Sequence, residues 1–137
     1  MPNKVVIRFL DGRIERGYTA DFQPHKEIFH LVVKSEGQDR SLVVKMANLK
    51  AVFFVKELHG MVKNLIIQIS EFADLKDQKL IGKKVRVEFL DGEVLNGITL
   101  GYSPQRRGFF LTPIDPESNN ERIFAVLSAV KDITFHD

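Results

Sequence analysis

At 137 residues the chain is long enough for one ordinary domain or two very small ones, and 44% hydrophobic with 28% charged residues is a globular rather than a disordered composition. The absence of cysteine excludes a disulfide scaffold and any thiolate metal site, and it fits a reducing cytosol. Net charge is +2: residues 1–58 hold ten Lys/Arg against seven Asp/Glu, residues 59–83 four against three, and residues 84–137 six against eight, so no segment has the concentrated basic excess that binding a phosphate backbone leaves.

The opening MPNKVVIRFLDG lacks an apolar core long enough for a signal peptide. No apolar stretch, Leu65 to Ile67 included, comes near the ~18 residues of a membrane span. A soluble, cytoplasmic protein with no membrane partner is expected. Val5 to Phe9 alternates as a strand does, and Asp11-Gly12 closes it with a hairpin turn. Arg13 to Phe22 is a longer run with Gly17 in its middle, where a glycine signals a bulge or bend. A turn around Pro24, a strand Ile28 to Val33, a polar hairpin SEGQD and a strand Arg40 to Lys45 follow. MANLK reads as one helical turn before a last strand, Ala51 to Val55.

Residues 61–78 change period. Val62, Leu65, Ile66, Ile69, Phe72 and Ala73 recur at helical spacing and form one apolar face. This helix is expected to pack as a lid or plug a seam, the alternative being a helix that dimerises or docks on a partner.

From Lys84 onward the chain repeats itself. Residues 4–33 align without a gap on 84–113, with 11 of 30 positions identical, including FLDG (9–12 and 89–92), Gly17/Gly97, Thr19/Thr99 and Pro24/Pro104. After a one-residue length change, LKAVFF (49–54) falls opposite VKDITF (130–135). A duplication accounts for glycines, proline and spacing together. The second copy's strands are expected at 85–90, 93–102, 108–113, 122–127 and 131–135. The fold expected is mainly β: tandem five-stranded SH3-like or Sm-like small barrels, at residues 1–58 and 84–137, joined by a helical linker at 59–83. Two half-size sandwiches or a single ten-stranded sheet are the alternatives.

Little in the sequence has the form of an active site. Asp11 and Asp91 each precede a glycine, and a tight turn explains that pair better than catalysis. The histidines at 25, 30, 59 and 136 show no metal-ligand spacing with acids, and neither a GxSxG nucleophile elbow nor a phosphate loop is present. Asp115 to Glu121 alternates oxygen-bearing side chains as a calcium loop does. It lacks the turn glycine, and Val126 stands at its twelfth place, so a polar hairpin is the better account. The most unusual stretch is Gly101 to Phe110, GYSPQRRGFF, which sets a tyrosine, two arginines and two phenylalanines about a turn. Arginine beside exposed aromatics is what gripping a phosphate or stacking on a base requires, although alternation sends Phe109 with Leu111 toward a core.

Residues 89–135 closely resemble a bacterial domain of unknown function with the pattern FxDGExLxG followed by GYSPxRxGFFLxPxDPxSNNxR. Tyr102, Ser103, Arg106, Ser118, Asn119, Asn120 and Arg122 stand where that pattern places them, and the first copy keeps the frame without most loop residues. The resemblance implies a prokaryotic cytoplasmic protein in the company of signalling proteins. A more distant similarity is to Sm-like RNA-binding barrels, whose uridine-pocket signatures are missing here. The PilZ barrels that bind cyclic dinucleotides are another bacterial comparison, and their signatures are missing here as well.

The function expected is a non-enzymatic binding or interaction module in bacterial regulation or signalling. Its binding residues are Tyr102, Ser103, Arg106, Arg107, Ser118, Asn119, Asn120 and Arg122, with no catalytic residue, metal or cofactor. An unidentified protein is the expected partner. The alternative is RNA or a (cyclic) nucleotide on the Tyr102–Arg107 turn, and pairing of exposed strand edges leaves homo-oligomerisation open.

Overall fold

The computed structural model describes residues 2–58, 82–115 and 117–136. Ten strands account for most of them. In the first half these are β1 (Asn3–Phe9), β2 (Ile14–Thr19), β3 (Ile28–Val33), β4 (Arg40–Lys45) and β5 (Leu49–Val55). In the second they are β6 (Lys83–Phe89), β7 (Val94–Thr99), β8 (Gly108–Pro113), β9 (Asn120–Val126) and β10 (Val130–His136). A single 3-10 turn, Met46–Asn48 or Leu127–Ala129, precedes the last strand of each half. No helix among the described residues is long and apolar enough to cross a membrane. The amphipathic segment at 61–78 lies outside the described residues.

The expected tandem barrels do not form; the alternative of a single ten-stranded sheet is what the structure has. All ten strands join in one open antiparallel sheet, in the order β10-β6-β7-β8-β9-β5-β1-β2-β3-β4. Each half contributes five strands in the same internal order, and the halves meet where β5 pairs with β9. Ala51 lies opposite Ala125, Val52 opposite Phe124, Phe53 opposite Ile123 and Phe54 opposite Arg122. The reason is written in β5. Its sequence LKAVFFV is apolar on successive residues from Ala51 to Val55 and is buried along its whole length, as a strand covered on both faces must be. An outer barrel strand would leave half of those side chains in water.

Side-chain alternation along the junction makes two cores, one on each face. Val52 and Phe54 of β5, with Phe124 and Val126 of β9, join Val5, Ile7, Phe29 and Leu31 in one cluster. Ala51, Phe53 and Val55, with Ile123 and Ala125, join Val85, Val87, Phe89 and Leu111 in the other. Each core therefore draws residues from both halves.

The local turns follow the sequence closely. Gly12 and Gly92 both have φ of +94°, where a side chain would be strained, and the carboxylates of Asp11 and Asp91 accept the N–H of Arg13 and Glu93 at 2.9 Å. Gly97 meets a different demand: a Cβ there would lie 2.6 Å from the carbonyl oxygen of Thr112, at the short β7–β8 pairing.

Candidate functional site

A cleft of about 900 Å³ opens where β8 and β9 meet the β2–β3 turn of the first half. Its lining includes Tyr102, Ser103, Arg106, Arg107, Phe109, Phe110, Arg122 and Phe124 from the second half. Pro24 and His25 reach it from the first. Three arginines and a histidine are among its lining residues, and among the described residues no carboxylate lines it.

The floor is built by strand register. Phe110 on β8 lies opposite Phe124 on β9, and their rings meet nearly edge-on at 5.1 Å. Arg122 lies opposite Phe54 across the junction, two residues from Phe124 and on the same face. Its guanidinium carbon sits 4.4 Å from the Phe54 ring centre and 4.5 Å from that of Phe110. Two phenyl rings thus support an exposed, planar cation.

The wall is the turn from Gly101 to Arg107. Ser103 shapes it: its carbonyl accepts the Arg106 N–H at 3.2 Å, and its hydroxyl donates to Gln105 Oε1 at 3.0 Å. Thr99 ties the turn to β8 by donating its hydroxyl to the Phe110 carbonyl at 2.8 Å. The Tyr102 ring stacks edge-on against Phe109 at 5.2 Å and lies 5.5 Å from Phe135. Arg107 Nη2 lies 3.3 Å from Glu27 Oε1 of the first half, while the Arg106 side chain has no ion-pair partner among the described residues.

Five of the eight residues expected to bind, Tyr102, Ser103, Arg106, Arg107 and Arg122, line this one cleft. Ser118, Asn119 and Asn120 do not. Asn119 clasps the chain leaving β5: its Oδ1 accepts the Glu57 N–H at 3.0 Å and its Nδ2 donates to the Glu57 carbonyl at 2.9 Å. The Ser118 hydroxyl accepts the Asn120 N–H at 3.1 Å, and Asn120 pairs with Val55. This hairpin is a clasp between the halves. Conversely, His25 and Glu27 escaped the sequence reading because they come from the other copy's turn. Only the unforeseen β5–β9 pairing brings them to Arg107.

The charged groups elsewhere serve structure. Lys50, almost fully buried on β5, reaches across to Asp91 at 2.7 Å and to Glu93, which also holds Arg8 at 3.2 Å. The Lys50 ammonium and then the Glu93 N–H hold the Asp91 carboxyl below its usual range. The Arg13 backbone N–H, followed by the Arg13 side chain, does the same for Asp11. Burial pushes the Asp21 carboxyl up, but hydrogen bonds from His30 and Thr19 outweigh it and leave the pKa lowered. That His30–Asp21 pair, 2.6 Å apart, closes the first half's turn rather than facing a nucleophile. No group of three or more potential metal ligands occurs among the described residues.

A family model described as "Family of unknown function (DUF6982)" matches residues 1–136. The chain belongs to this family. Membership covers both halves, consistent with a single sheet that neither half completes alone. No curated protein and no solved structure matches the chain.

Proposed function

We propose that this protein is a non-enzymatic binding module of bacterial regulation or signalling, working in the cytoplasm, with the arginine–aromatic cleft as its binding site. The single observation that carries the reading is the lining: Arg106, Arg107, Arg122 and His25 around aromatic rings, with no lining carboxylate among the described residues. Such a cleft favours a partner that presents an anionic group together with an apolar or planar one. A binding role is also supported by what the lining side chains do. The Ser103 hydroxyl is committed to Gln105, and His25 has no carboxylate partner among the described residues, so neither is set up as a nucleophile–base pair. The equivalent turn in the first half differs: Phe22, in the place of Tyr102, packs against Phe29, Phe54, Phe110 and Phe124.

The test is recovery of bound partner from native bacterial extract. The wild-type chain should retain a partner that the Arg106→Ala/Arg107→Ala variant loses. Undiminished recovery by that variant, folded as judged by its thermal melt, overturns the reading.

A further inference from the structure

We infer that the cleft takes a small nucleotide, its base stacked on the Arg122 guanidinium and its phosphate held by Arg106 and Arg107. This rests on the reading of the cleft as the binding site and adds the chemical class of its ligand. Three features distinguish a nucleotide from other anions.

The first is a flat cationic platform. The guanidinium carbon of Arg122 lies 4.4 and 4.5 Å from the ring centres of Phe54 and Phe110, and the exposed residue lines the cleft. Nucleic-acid bases stack on guanidinium planes and on aromatic rings, whereas a bare phosphate needs charge alone. An acidic peptide could pair with Arg106 and Arg107 but would leave this surface unused.

The second is a place for an anion. Arg107 already carries a carboxylate oxygen, Glu27 Oε1 at 3.3 Å, and Glu27 is 81% exposed. So exposed a pair is weak and screened, and a phosphate, with more charge and more acceptor oxygens, can displace it. Arg106, adjacent in the chain, adds a second guanidinium with no competing anion among the described residues.

The third is extent. About 900 Å³ is near the upper end of the roughly 300–1,000 Å³ of small-molecule sites, room for one nucleotide or two joined ones. A long strand would need phosphate contacts continuing beyond the cleft, and the half that supplies most of its lining has six basic against eight acidic residues.

The test is calorimetric titration of the full chain at low salt with AMP, GMP, cyclic di-GMP, inorganic pyrophosphate, a short oligoglutamate and a short single-stranded RNA. At least one nucleotide should bind saturably, and more tightly than pyrophosphate. Arg122→Lys keeps the charge and removes the plane. It should weaken that nucleotide about tenfold and leave pyrophosphate unchanged. Glu27→Gln removes the competing carboxylate and should tighten the nucleotide about threefold, a gain that poor folding cannot imitate.

The inference is overturned if no nucleotide binds, if Arg122→Lys affects nucleotide and pyrophosphate alike, or if oligoglutamate or RNA binds more tightly than every nucleotide. Should nucleotides fail while Arg106→Ala/Arg107→Ala still abolishes partner recovery, the binding module stands and only its ligand class falls. Failure of both removes the site itself.

Discussion

β5 and β10 occupy the same place in their halves, yet one is the most deeply buried strand of the molecule and the other is largely exposed. β5 reads LKAVFFV and is buried at every residue; β10 reads VKDITFH and is exposed at most. Both pair with the first strand of their own half in the same register, Val5 opposite Phe54 and Val85 opposite Phe135. What differs is the second neighbour. β5 also pairs with β9, whereas β10 ends the sheet. Its face away from the core carries Asp132, Thr134 and His136 where β5 has Ala51, Phe53 and Val55. The backbone plan is common to both halves, and a few side chains decide which edge joins and which stays in water.

The sharpest test sets equivalent phenylalanines against each other. Phe54 is 4% exposed, touches Phe22 and Phe110 and supports Arg122, while Phe135 is 41% exposed. Phe54→Ala should lower unfolding free energy by about 3–5 kcal/mol, and Phe135→Ala by about 1 kcal/mol, in urea titrations. Equal losses would mean that the junction contributes nothing beyond each half's own packing. The next contrast lies where β8 and β3 begin. A Cβ on Gly108 would stand 2.2 Å from the Ala125 carbonyl oxygen, forcing β8 from β9. Gly108→Ala should cost about 2–3 kcal/mol. Ile28 holds the equivalent place on β3 and is 42% exposed, so Ile28→Ala should cost about 0.5 kcal/mol.

The local vocabulary was legible: the Asp-Gly turns, the succession of five strands along each half and the helical turn before β5 all follow from short patterns. Strand pairing between the halves was not, because it is decided by comparing residues 81 apart. VFFV in β5 does not alternate, and that was the available signal that this strand is covered on both faces. Arg106, Arg107 and Arg122 stood out as arginines beside aromatics. That Arg122 rests on Phe54, a residue of the other half, required the β5–β9 register. The Ser118–Asn120 hairpin, expected to bind from its match to the family pattern, lies outside the cleft and clasps Glu57 and Val55, a role that nothing in its own sequence announces.

The smallest expected effects concern two equivalent lysines. Lys50 and Lys131 are each the second residue of their strand, but Lys50 is buried between Asp91 and Glu93 of the other half, while Lys131 is exposed and lies 3.7 Å from Glu88. Lys50→Met keeps the stem and removes the charge, so it should cost about 1–2 kcal/mol. Lys131→Met should stay within about 0.5 kcal/mol. The same pair can be read through pH. A carboxyl whose folded-state pKa lies below its unfolded value stabilises the fold above the unfolded value, and that stabilisation is lost as pH falls through the folded one. Asp91 is such a group, and Lys50 is the main cause of its depression. Urea titrations from about pH 5 to about pH 2 should therefore show wild type losing stability more steeply than Lys50→Met, which has already lost that contribution. Lys131→Met should follow wild type. If all three acid limbs run parallel, the Lys50–Asp91 bridge does not couple the halves, and the junction depends on its apolar strands alone.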